Sequence, residues 1–518
     1  MAVTRMKGRT VIVALAATAV AGVVLVPWGA RALADAPAIT GVDDGATVSA
    51  EAMRELAVSM PEQDLAAVEV LIDGRRVDVR RDGDRLLLAE PALSDGEHTI
   101  TARMPANLLP DSEVSRTFTV DGTAPTLSVE LAPVTEPRKP YTVQGKADGG
   151  TSVTVEDQTV AVDGNGSFAL TLPVAPTTIQ LTTTDAVGNR TTRDLPVPTR
   201  HPGMRAVHMS AMAWSSAELR EPVLRMAAEG RINTVQLDIK DESGEIGYES
   251  QVPLAREVGA TRDHYDAKAV IEQLHARGIR VVGRLVAFRD PILARSSWES
   301  GAKDMVIQTQ EGTPWAGTYG QYAFTNFANP DVIDYNVALA TEAAKLGFDD
   351  ILYDYIRRPE GALAKMRIPG LVGTAEQSIV SFLAKSHESV RDHGAFQGAS
   401  VFGIAASRPT AVSQDIPAMA RHSDYIAPMV YPSHWGPGEY GVASPHAQPY
   451  DITARSVAAF AEQVKGTNSQ VIPWLQAFSL GRTYGPAEVR AQITASEHSG
   501  SPSFLLWNAS CRYGTAGL

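Results

Sequence analysis

The stretch GFDDILYDYIRRP, residues 347–359, combines a helix stop, a short buried strand and an aspartate at the end of that strand. Gly347 is the residue type that commonly ends a helix. DDILYDY, residues 349–355, has the length and apolar content of a strand buried on both faces. Asp354 lies between two tyrosines where this strand should end. A reachable carboxylate at that position indicates a functional site, because parallel barrels build their sites at the carboxyl ends of strands.

The same alternation of strand and helix continues through residues 200–518, starting after Pro202. Short apolar runs alternate there with amphipathic helical stretches, several of which end in glycine. The predicted strands are RAVHMSA, NTVQLDIK, IRVVGRLVA, DDILYDY, SVFGIAA, YIAPMVY, VIPWLQA and SFLLWNA. Eight strands alternating with helices predict a (β/α)8 TIM barrel. An open doubly wound sheet is the alternative, but no G-x-G-x-x-G follows the first strand.

The region before the barrel is typical of short strands and turns, with no helical period. VEVLIDGRRVDV holds two alternating runs joined across Asp73 and Gly74, which indicates a hairpin. A second stretch repeats this strand length and turn spacing. We therefore predict two all-β immunoglobulin-like sandwiches, over residues 36–122 and 123–199. TDAVGN, residues 184–189, resembles a turn common near the last strand of bacterial immunoglobulin-like domains.

The first 34 residues have the form of an export segment. Arg5, Lys7 and Arg9 precede an uncharged apolar run, and the small residues of ALA, residues 32–34, suit a signal peptidase. The apolar run is only slightly shorter than a typical membrane span. We expect a secreted or extracytoplasmic protein whose residues 1–34 form a cleaved signal peptide or a retained membrane anchor.

Composition excludes several classes of function. The chain has 518 residues, 44% of them hydrophobic, and a net charge of −13. Nucleic acid is an unexpected partner, because phosphate binding needs clustered Lys and Arg. The single cysteine, Cys511, has no partner for an internal disulfide and is interpreted as a small, unreactive residue. Metal-ligand spacings, a P-loop and a G-x-S-x-G elbow are missing from the sequence, so we expect no cofactor and no metal.

Carboxylates and aromatic side chains recur where the predicted strands end. The candidate catalytic carboxyl groups are Asp354, Asp241, Asp238 and Asp415. The candidate substrate-binding residues are Arg357, Tyr355, Tyr431, His434, Trp474, Gln476, Trp507 and Asn508. Glycoside hydrolysis needs a pair of carboxyl groups, aromatic faces stack on sugar rings, and amides and guanidinium groups bond sugar hydroxyls. We therefore predict glycosidic bond hydrolysis at the barrel mouth, with Arg357 keeping Asp354 ionised.

Each candidate also has a structural interpretation. Asp354 could pair with Arg357 and cap a loop, Asp415 could cap a helix, and His434 could be a structural hydrogen-bonding group. The tryptophans could be barrel packing. At the level of the whole protein, one alternative is a non-catalytic carbohydrate- or wall-binding protein. Another is a scaffold whose sandwiches bind a protein partner.

Six ordered blocks of the barrel region resemble a known family. They are VQLDIKDESGEIGY, RVVGRLVAFRDP, NPDVIDYNVALATEAAKLGFDDILYDYIRRP, YIAPMVYPSHWGPGEYG, PWLQAF and FLLWNAS. Together they resemble the "putative glycosyl hydrolase domain" family, distantly similar to α-amylase-like glycosidases, over residues 203–513. The resemblance implies a (β/α)8 glycosidase acting on a polysaccharide or oligosaccharide. It places Asp354 where related barrels carry the strand-four nucleophile, and Asp238 and Asp241 in the strand-two acidic motif.

The sequence also departs from this pattern at three places. Ser400 stands where an aspartate is expected, and Arg358 replaces a bulky apolar residue. No glutamate follows strand five, where α-amylase-like enzymes place their acid. Asp241 and Asp415 are therefore the candidate proton donors. The immunoglobulin-like modules would act as spacers that hold the barrel away from a membrane or wall.

Overall fold

The computed structural model describes most of the chain beyond the export segment. The described ranges are 36–61, 64–90, 92–105 and 112–518. The predicted signal peptide or anchor, residues 1–34, lies outside them and stays a prediction. Within the described ranges, no helix has the length and apolar character needed to cross a membrane.

The described residues form two compact units. One comprises the described residues up to Pro125 together with the segment Thr184–Thr191. The other comprises Thr126–Thr183 and Thr192–Leu518. The predicted domain limits at residues 122, 199 and 200 remain predictions.

The first unit is built from strands around one apolar core. Its four-stranded sheet runs in the order Ala38–Thr40, Ala57–Ser59, Arg85–Leu88 and Val79–Asp82. Its five-stranded sheet runs in the order Thr47–Ser49, Ser112–Asp121, Gly96–Met104, Glu69–Ile72 and Arg75–Arg76. The predicted hairpin is confirmed, because Asp73 and Gly74 join the last two strands with φ of 51° and 74°. The β-rich character is confirmed, and the immunoglobulin-like topology stays a prediction.

A second β region precedes the barrel. One sheet contains Thr126–Glu130, Tyr141–Asp148 and Ser167–Leu172, and the other contains Gln158–Ala161, Ser152–Val155, Thr178–Thr184 and Arg190–Pro196. Arg138 of this region donates from Nη2 to the carbonyls of Ala344 at 3.0 Å and Phe348 at 2.6 Å. Its Nη1 donates to the carbonyl of His393 at 3.2 Å. The guanidinium thus satisfies carbonyl groups at and just beyond a helix end, where a cation is also favoured by the helix dipole.

The eight barrel strands, β1 to β8, are all parallel and close into a ring. They are Arg205–Met209, Thr234–Lys240, Arg280–Val286, Asp350–Asp354, Phe396–Phe402, Tyr425–Met429, the paired segments Gln470–Val471 and Trp474–Gln476, and Phe504–Trp507. Neighbours pair in chain order, β5 pairs with β6, and β8 pairs with β1. The predicted (β/α)8 barrel is confirmed.

Helices cover the outside of the ring. They are Ala211–Ser215, Ala217–Ala228, Pro253–Glu257, Ala267–His275, Pro291–Ser300, Pro330–Leu346, Ala375–Arg391, Pro409–Val412, Ile416–Ala420, Pro449–Gln463 and Pro486–His498. The helix before β4 begins at the cap Asn329, whose side chain accepts from two backbone N–H groups. It ends at Gly347, where φ of 117° suits glycine. The opening stretch therefore contains the predicted helix stop.

Alternation along β4 directs its carboxylates into the ring. Ile351 and Tyr353 pack in the layer between strands and helices, while Leu352 packs in the barrel interior. Because side chains two residues apart share one face of a strand, Asp350 and Asp354 point inward with Leu352. Asp354 therefore lies inside the ring at its carboxyl end.

Strand five differs from the sequence-based prediction. It begins at Phe396 and ends at Phe402, whereas the second half of the predicted SVFGIAA forms the 3-10 turn Gly403–Ala406. A side chain at Gly403 would lie 2.6 Å from the carbonyl oxygen of Met429, so the chain turns where only glycine fits. The buried polar Gln397 interrupts the apolar run, which explains why the true start was missed.

Candidate active site

A cavity of about 430 Å³ opens at the carboxyl ends of the barrel strands. Its ionisable walls are Asp354 at the end of β4, Arg284 of β3 and Glu242 in the loop after β2. Its aromatic walls are Tyr319, Tyr355, Tyr431, Trp435, Trp474 and Trp507. Phe402, Met429 and His434 also line it. The cavity joins a few charged groups to a largely aromatic surface, which is typical of a ligand site.

Arg284 is the charged centre of this site. Its Nε donates to Asp354 Oδ2 at 2.9 Å, and its Nη1 donates to Asp238 Oδ1 at 3.1 Å. Its Nη2 contacts both Asp354 Oδ2, at 2.7 Å, and Glu242 Oε1. One buried guanidinium therefore holds three carboxylates.

The electrostatics of Arg284 follow from this crowding. Burial alone would lower the pKa of Arg284, but Glu242, Asp354 and Asp238 together raise it well above its usual value. Asp238 also has the cation His208, whereas Asp354 and Glu242 depend on Arg284 remaining charged. Removal of any one carboxylate changes the surroundings of the other two.

Asp354 is held more tightly than Glu242. It is 4% exposed, and its Oδ1 accepts the backbone N–H of Tyr355 at 2.7 Å. Tyr355 has φ of 51°, a left-handed conformation that costs a non-glycine residue ~1 kcal/mol or more. The Tyr355 hydroxyl accepts from Arg289 Nη1 at 2.8 Å, which helps hold this conformation. Strained backbone beside a buried carboxylate is common at functional sites.

Glu242 is the more accessible carboxyl group of the cavity. Its side chain is 28% exposed. Burial raises the pKa of Glu242 and so does Asp238, but Arg284 opposes both and the pKa lies below the usual value. Glu242 is thus accessible to solvent while it stays ion-paired with Arg284, which also binds Asp354.

A buried ion pair supports the cluster from behind. His208 Nε2 lies 3.1 Å and 3.2 Å from the two oxygens of Asp238. Burial would lower the pKa of His208, but Asp238 outweighs it and raises that pKa to about 9. The His208 ring stacks on Trp507 with centroids 4.2 Å apart. The pair therefore fixes Asp238, which accepts from Arg284, and Trp507, which lines the cavity.

Three predicted carboxylates lie outside the cavity lining, and one of them, Asp238, belongs to the site through its contact with Arg284. Asp241 accepts from Ser243 N and Oγ and from Glu245 N, so it closes a turn beside a smaller cavity that it shares with Asp238. Asp415 accepts from Ala418 N at 3.1 Å and caps the helix Ile416–Ala420. These positions do not support Asp241 or Asp415 as the proton donor. Glu242 lines the cavity, which is the position that was expected for Asp241 or Asp415.

The predicted role of Arg357 is wrong. Arg357 Nη2 pairs with Glu360 Oε1 at 2.9 Å, and its guanidinium lies 4.3 Å from the ring centroid of Phe402. The ion-pair partner of Asp354 is Arg284 instead. Arg357 is buried and does not line the cavity, so it stabilises the loop after β4.

The other predicted binding residues divide into walls and supports. Tyr355, Tyr431, His434, Trp474 and Trp507 line the cavity.

Gln476 is buried and accepts from Ser433 N at 3.0 Å, which fixes the turn that carries His434. Asn508 donates to the carbonyls of Ala477 at 2.7 Å and Arg512 at 2.9 Å. Asn508 lines a neighbouring cavity instead.

Two of the three sequence departures have structural explanations. Ser400 Oγ accepts from Trp474 Nε1 at 3.0 Å, so it orients an aromatic wall of the cavity. Arg358 donates to the carbonyls of Pro359, Gly361 and Ala411 and holds two loops together. Neither residue is needed as an ionisable cavity group.

Sequence reasoning missed Glu242 and Arg284. The signal for Arg284 was a charge inside the apolar strand IRVVGRLVA, since arginine is almost never fully buried unless paired. Glu242 follows directly after the strand-two aspartates in LDIKDE. A bulge between Asp238 and Lys240 turns Lys240 outward, where it pairs with Asp290 at 2.7 Å. Counting strand-end positions could not reveal this shift.

A carboxylate-bearing, aromatic cavity at the mouth of a (β/α)8 barrel is typical of carbohydrate-active proteins. The sequence model of the family described as "Putative glycosyl hydrolase domain" matches residues 206–513, more than half of the chain. The chain belongs to this family, which makes it a glycosidase of unknown substrate. The resemblance predicted from the six sequence blocks is confirmed.

Several solved structures are similar to parts of the chain. A hypothetical protein from Ruminiclostridium thermocellum is 30% identical, covering 37% of this chain and 96% of that one, with a TM-score of 0.33. The PgaB (BpsB) glycoside hydrolase domain from Bordetella bronchiseptica is 16% identical, covering 60% and 95%, with a TM-score of 0.44. The TtGalA α-galactosidase from Thermus thermophilus is 15% identical, covering 86% and 91%, with a TM-score of 0.38. No curated protein matches the chain. Because these structural similarities are weak, the assignment rests on the family model.

Proposed function

We propose that this protein is an exported glycoside hydrolase in which Asp354 and Glu242 form the catalytic carboxyl pair. The observation that carries the proposal is that both carboxylates line one aromatic cavity and share Nη2 of Arg284. A glycosidase needs one carboxyl group to stabilise or attack the anomeric carbon and one to move the proton. The cavity offers these two groups and surrounds them with rings suited to stacking on a sugar.

Asp354 has the surroundings of the nucleophile. It is buried, fixed by Arg284 and by its own backbone contact with Tyr355, and it has little freedom to move. Arg284 holds Glu242 ionised before the substrate binds, so Glu242 takes up a proton from solvent through its exposed side chain as the substrate enters. The Asp354 carboxylate then attacks the anomeric carbon as the glycosidic C–O bond breaks, and Glu242 gives that proton to the departing oxygen. Water then attacks the glycosyl ester, Glu242 takes the water proton, and Asp354 is released.

The spacing of the pair favours retention of anomeric configuration. Two oxygens that contact one guanidinium nitrogen at ordinary charge-assisted distances lie within ~6 Å of each other. Retaining enzymes place their carboxyl groups ~5–5.5 Å apart, whereas inverting enzymes need ~6.5–9.5 Å to admit a water. The shared Arg284 leaves too little separation for the inverting arrangement.

The chain outside the barrel completes the proposal. The basic and apolar pattern of residues 1–34 supports export, as a secreted protein or one anchored by this segment. The β-rich regions would be immunoglobulin-like spacers that hold the barrel near a surface or extracellular polysaccharide. Two carboxylates within one cavity supply both groups that glycoside hydrolysis needs, which favours catalysis over the non-catalytic binding alternative.

The experiment is an activity screen with a stereochemical readout. Purified protein is incubated with a panel of bacterial wall and capsule glycans, and released reducing ends are followed by proton NMR. We expect the first product to keep the anomeric configuration of the substrate, and Asp354→Asn to abolish release. Full activity in a folded Asp354→Asn protein, or a product of inverted configuration, would refute the proposed mechanism.

A further inference from the structure

A second cavity adjoins the first at the barrel mouth. Its volume is about 580 Å³, and Tyr431, His434 and Trp507 line both cavities. Phe478 and Leu480, which follow β7, line only the second. Because three side chains line both cavities, the two cavities are immediate neighbours at the barrel mouth.

An aromatic cluster lines the second cavity. The ring centroids of Tyr431 and His434 lie 5.3 Å apart, and those of Tyr431 and Phe478 lie 5.6 Å apart. The centroids of His434 and Phe478 are 6.1 Å apart. Leu480 adds an apolar surface that is 53% exposed, although large apolar side chains gain most when covered. The second cavity therefore presents fixed rings and an uncovered apolar side chain.

Charge is missing from the lining of the second cavity. None of its described lining residues is an Asp, Glu, Lys or Arg. His434 contributes no stable charge, because burial lowers its pKa below the usual value. The polar groups on offer are those of Ser479, Asn508 and Ser510, which suit sugar hydroxyls. An ionic substituent would find no counter-ion there.

The first cavity also lacks a cation for an acidic sugar. Arg284 is the only Lys or Arg in its described lining, and all three guanidinium nitrogens already contact carboxylates. Arg289 lies outside both linings, bonded to the Tyr355 hydroxyl and stacked 4.0 Å from the Tyr319 centroid. A uronate or sulfated ring would therefore meet Asp354 and Glu242 without a free cation.

We infer that the second cavity is a subsite for the neighbouring ring of the glycan, that this ring is an uncharged hexose or N-acetylhexosamine, and that neither ring is acidic. The substrate class is thus a non-acidic oligosaccharide or polysaccharide bound through at least two consecutive rings. This inference rests on the proposed function, since it assumes that the bond between the two cavities is the one cleaved.

The experiment measures how affinity depends on glycan length and charge. Asp354→Asn protein is titrated calorimetrically with mono-, di- and tetrasaccharides of glucose (α-1,4 and β-1,4), mannose, galactose and N-acetylglucosamine, and with galacturonate oligomers. At least one neutral series should bind roughly tenfold or more tightly as a disaccharide than as a monosaccharide, while galacturonates bind more weakly. No length gain, tighter binding of galacturonates, or no binding of any neutral series would overturn the inference.

Matched variants locate the gain in the second cavity. In the Asp354→Asn background, Leu480→Ala should reduce the disaccharide gain several-fold and leave monosaccharide affinity unchanged, since Leu480 touches only the second cavity. The control is Leu363→Ala, because Leu363 is 44% exposed and lines neither cavity. An equal loss in both variants, or no loss in Leu480→Ala, would contradict the subsite.

The experiments distinguish failure of the subsite proposal from failure of the hydrolase proposal. A neutral series that binds with a length gain but is never cleaved by the wild-type protein supports the subsite and refutes the hydrolase. Cleavage by a wild-type protein whose affinity ignores glycan length supports the hydrolase and refutes the subsite.

Discussion

Strand β4 carries an aspartate at each end, and the two carboxylates have opposite surroundings. At the amino end, the Asp350 carboxylate has two nitrogen partners, His201 Nε2 at 2.7 Å and Arg280 Nη2 at 2.8 Å. At the carboxyl end, Asp354 shares Arg284 with Asp238 and Glu242. A carboxylate with surplus partners is typical of a structural role, while carboxylates that compete for one cation are poised for chemistry.

Both aspartates are buried and lie on the same face of the strand. The difference between them therefore comes from neighbours far away in the sequence, not from the strand itself. Burial raises the pKa of Asp350, but Arg280 and His201 outweigh it and hold the pKa below its usual value. Charge balance distinguishes the two ends more sharply than burial does.

The largest effects should come from neutralising the two aspartates in turn. Asp354→Asn should reduce kcat/KM by about 10⁴-fold with little loss of stability, because it removes the nucleophile. Asp350→Asn should cost about 3 kcal/mol of unfolding free energy, since it leaves Arg280 without its charge partner. Its folded fraction should keep wild-type kcat/KM. Denaturant melts and steady-state kinetics measure both, and the reverse pattern would invalidate the comparison.

Glu242→Gln should give the second largest loss of activity. We expect kcat/KM to fall by about 10³-fold on unactivated glycosides, because the proton donor is lost. The loss should be much smaller on aryl glycosides whose leaving group needs no proton. Glu245→Gln is the control, since Glu245 has a similar exposure and pairs with Arg262 outside the cavity. Equal losses on both substrate types would exclude Glu242 as the acid.

The His208–Asp238 pair should make stability depend on pH. The pKa of His208 is raised to about 9, so the folded state binds this proton more tightly than the unfolded state does. The stabilisation, ~3 kcal/mol, should be complete below pH ~6.5 and should disappear as pH rises through about 9. His208→Asn should flatten this part of the stability curve, as measured by urea unfolding between pH 6 and 10. A decline of the same size in the variant would assign it to other groups.

The smallest effect should come from the wall of the cavity. Ser400→Ala removes the acceptor of Trp474 Nε1 and leaves a buried donor unpaired, at a cost of about 1–3 kcal/mol. KM should rise a few-fold as the indole loses its orientation, and kcat should change little. Ser407→Ala is the control, because Ser407 follows the same strand and lines neither cavity. A fall in kcat with unchanged KM would place Ser400 in the chemistry instead.

The sequence was sufficient to predict the barrel and the position of Asp354 at the barrel mouth. Both depend on local signals, which are the alternation of strand and helix and a carboxylate at the end of an apolar run. Tyr431, Trp474 and Trp507 were placed correctly in the cavity walls for the same reason.

The cation of the site could not be assigned from proximity in sequence. Arg357, only three residues from Asp354, turns to Glu360, while Arg284 arrives from the adjacent strand. Asp241 was preferred to its neighbour Glu242, but a bulge in β2 changes which side chains face the interior. Registers between strands, rather than residues along one strand, decide the members of this cluster.

Arg138 has a consequence for access to the barrel. Its guanidinium binds carbonyls that precede β4 and β5, so the second β region is fastened to the barrel floor. The carboxyl ends of the same strands hold the two cavities, at the opposite end of the barrel from the Arg138 contacts. Arg138 and its carbonyl partners therefore take no part in the walls of either cavity.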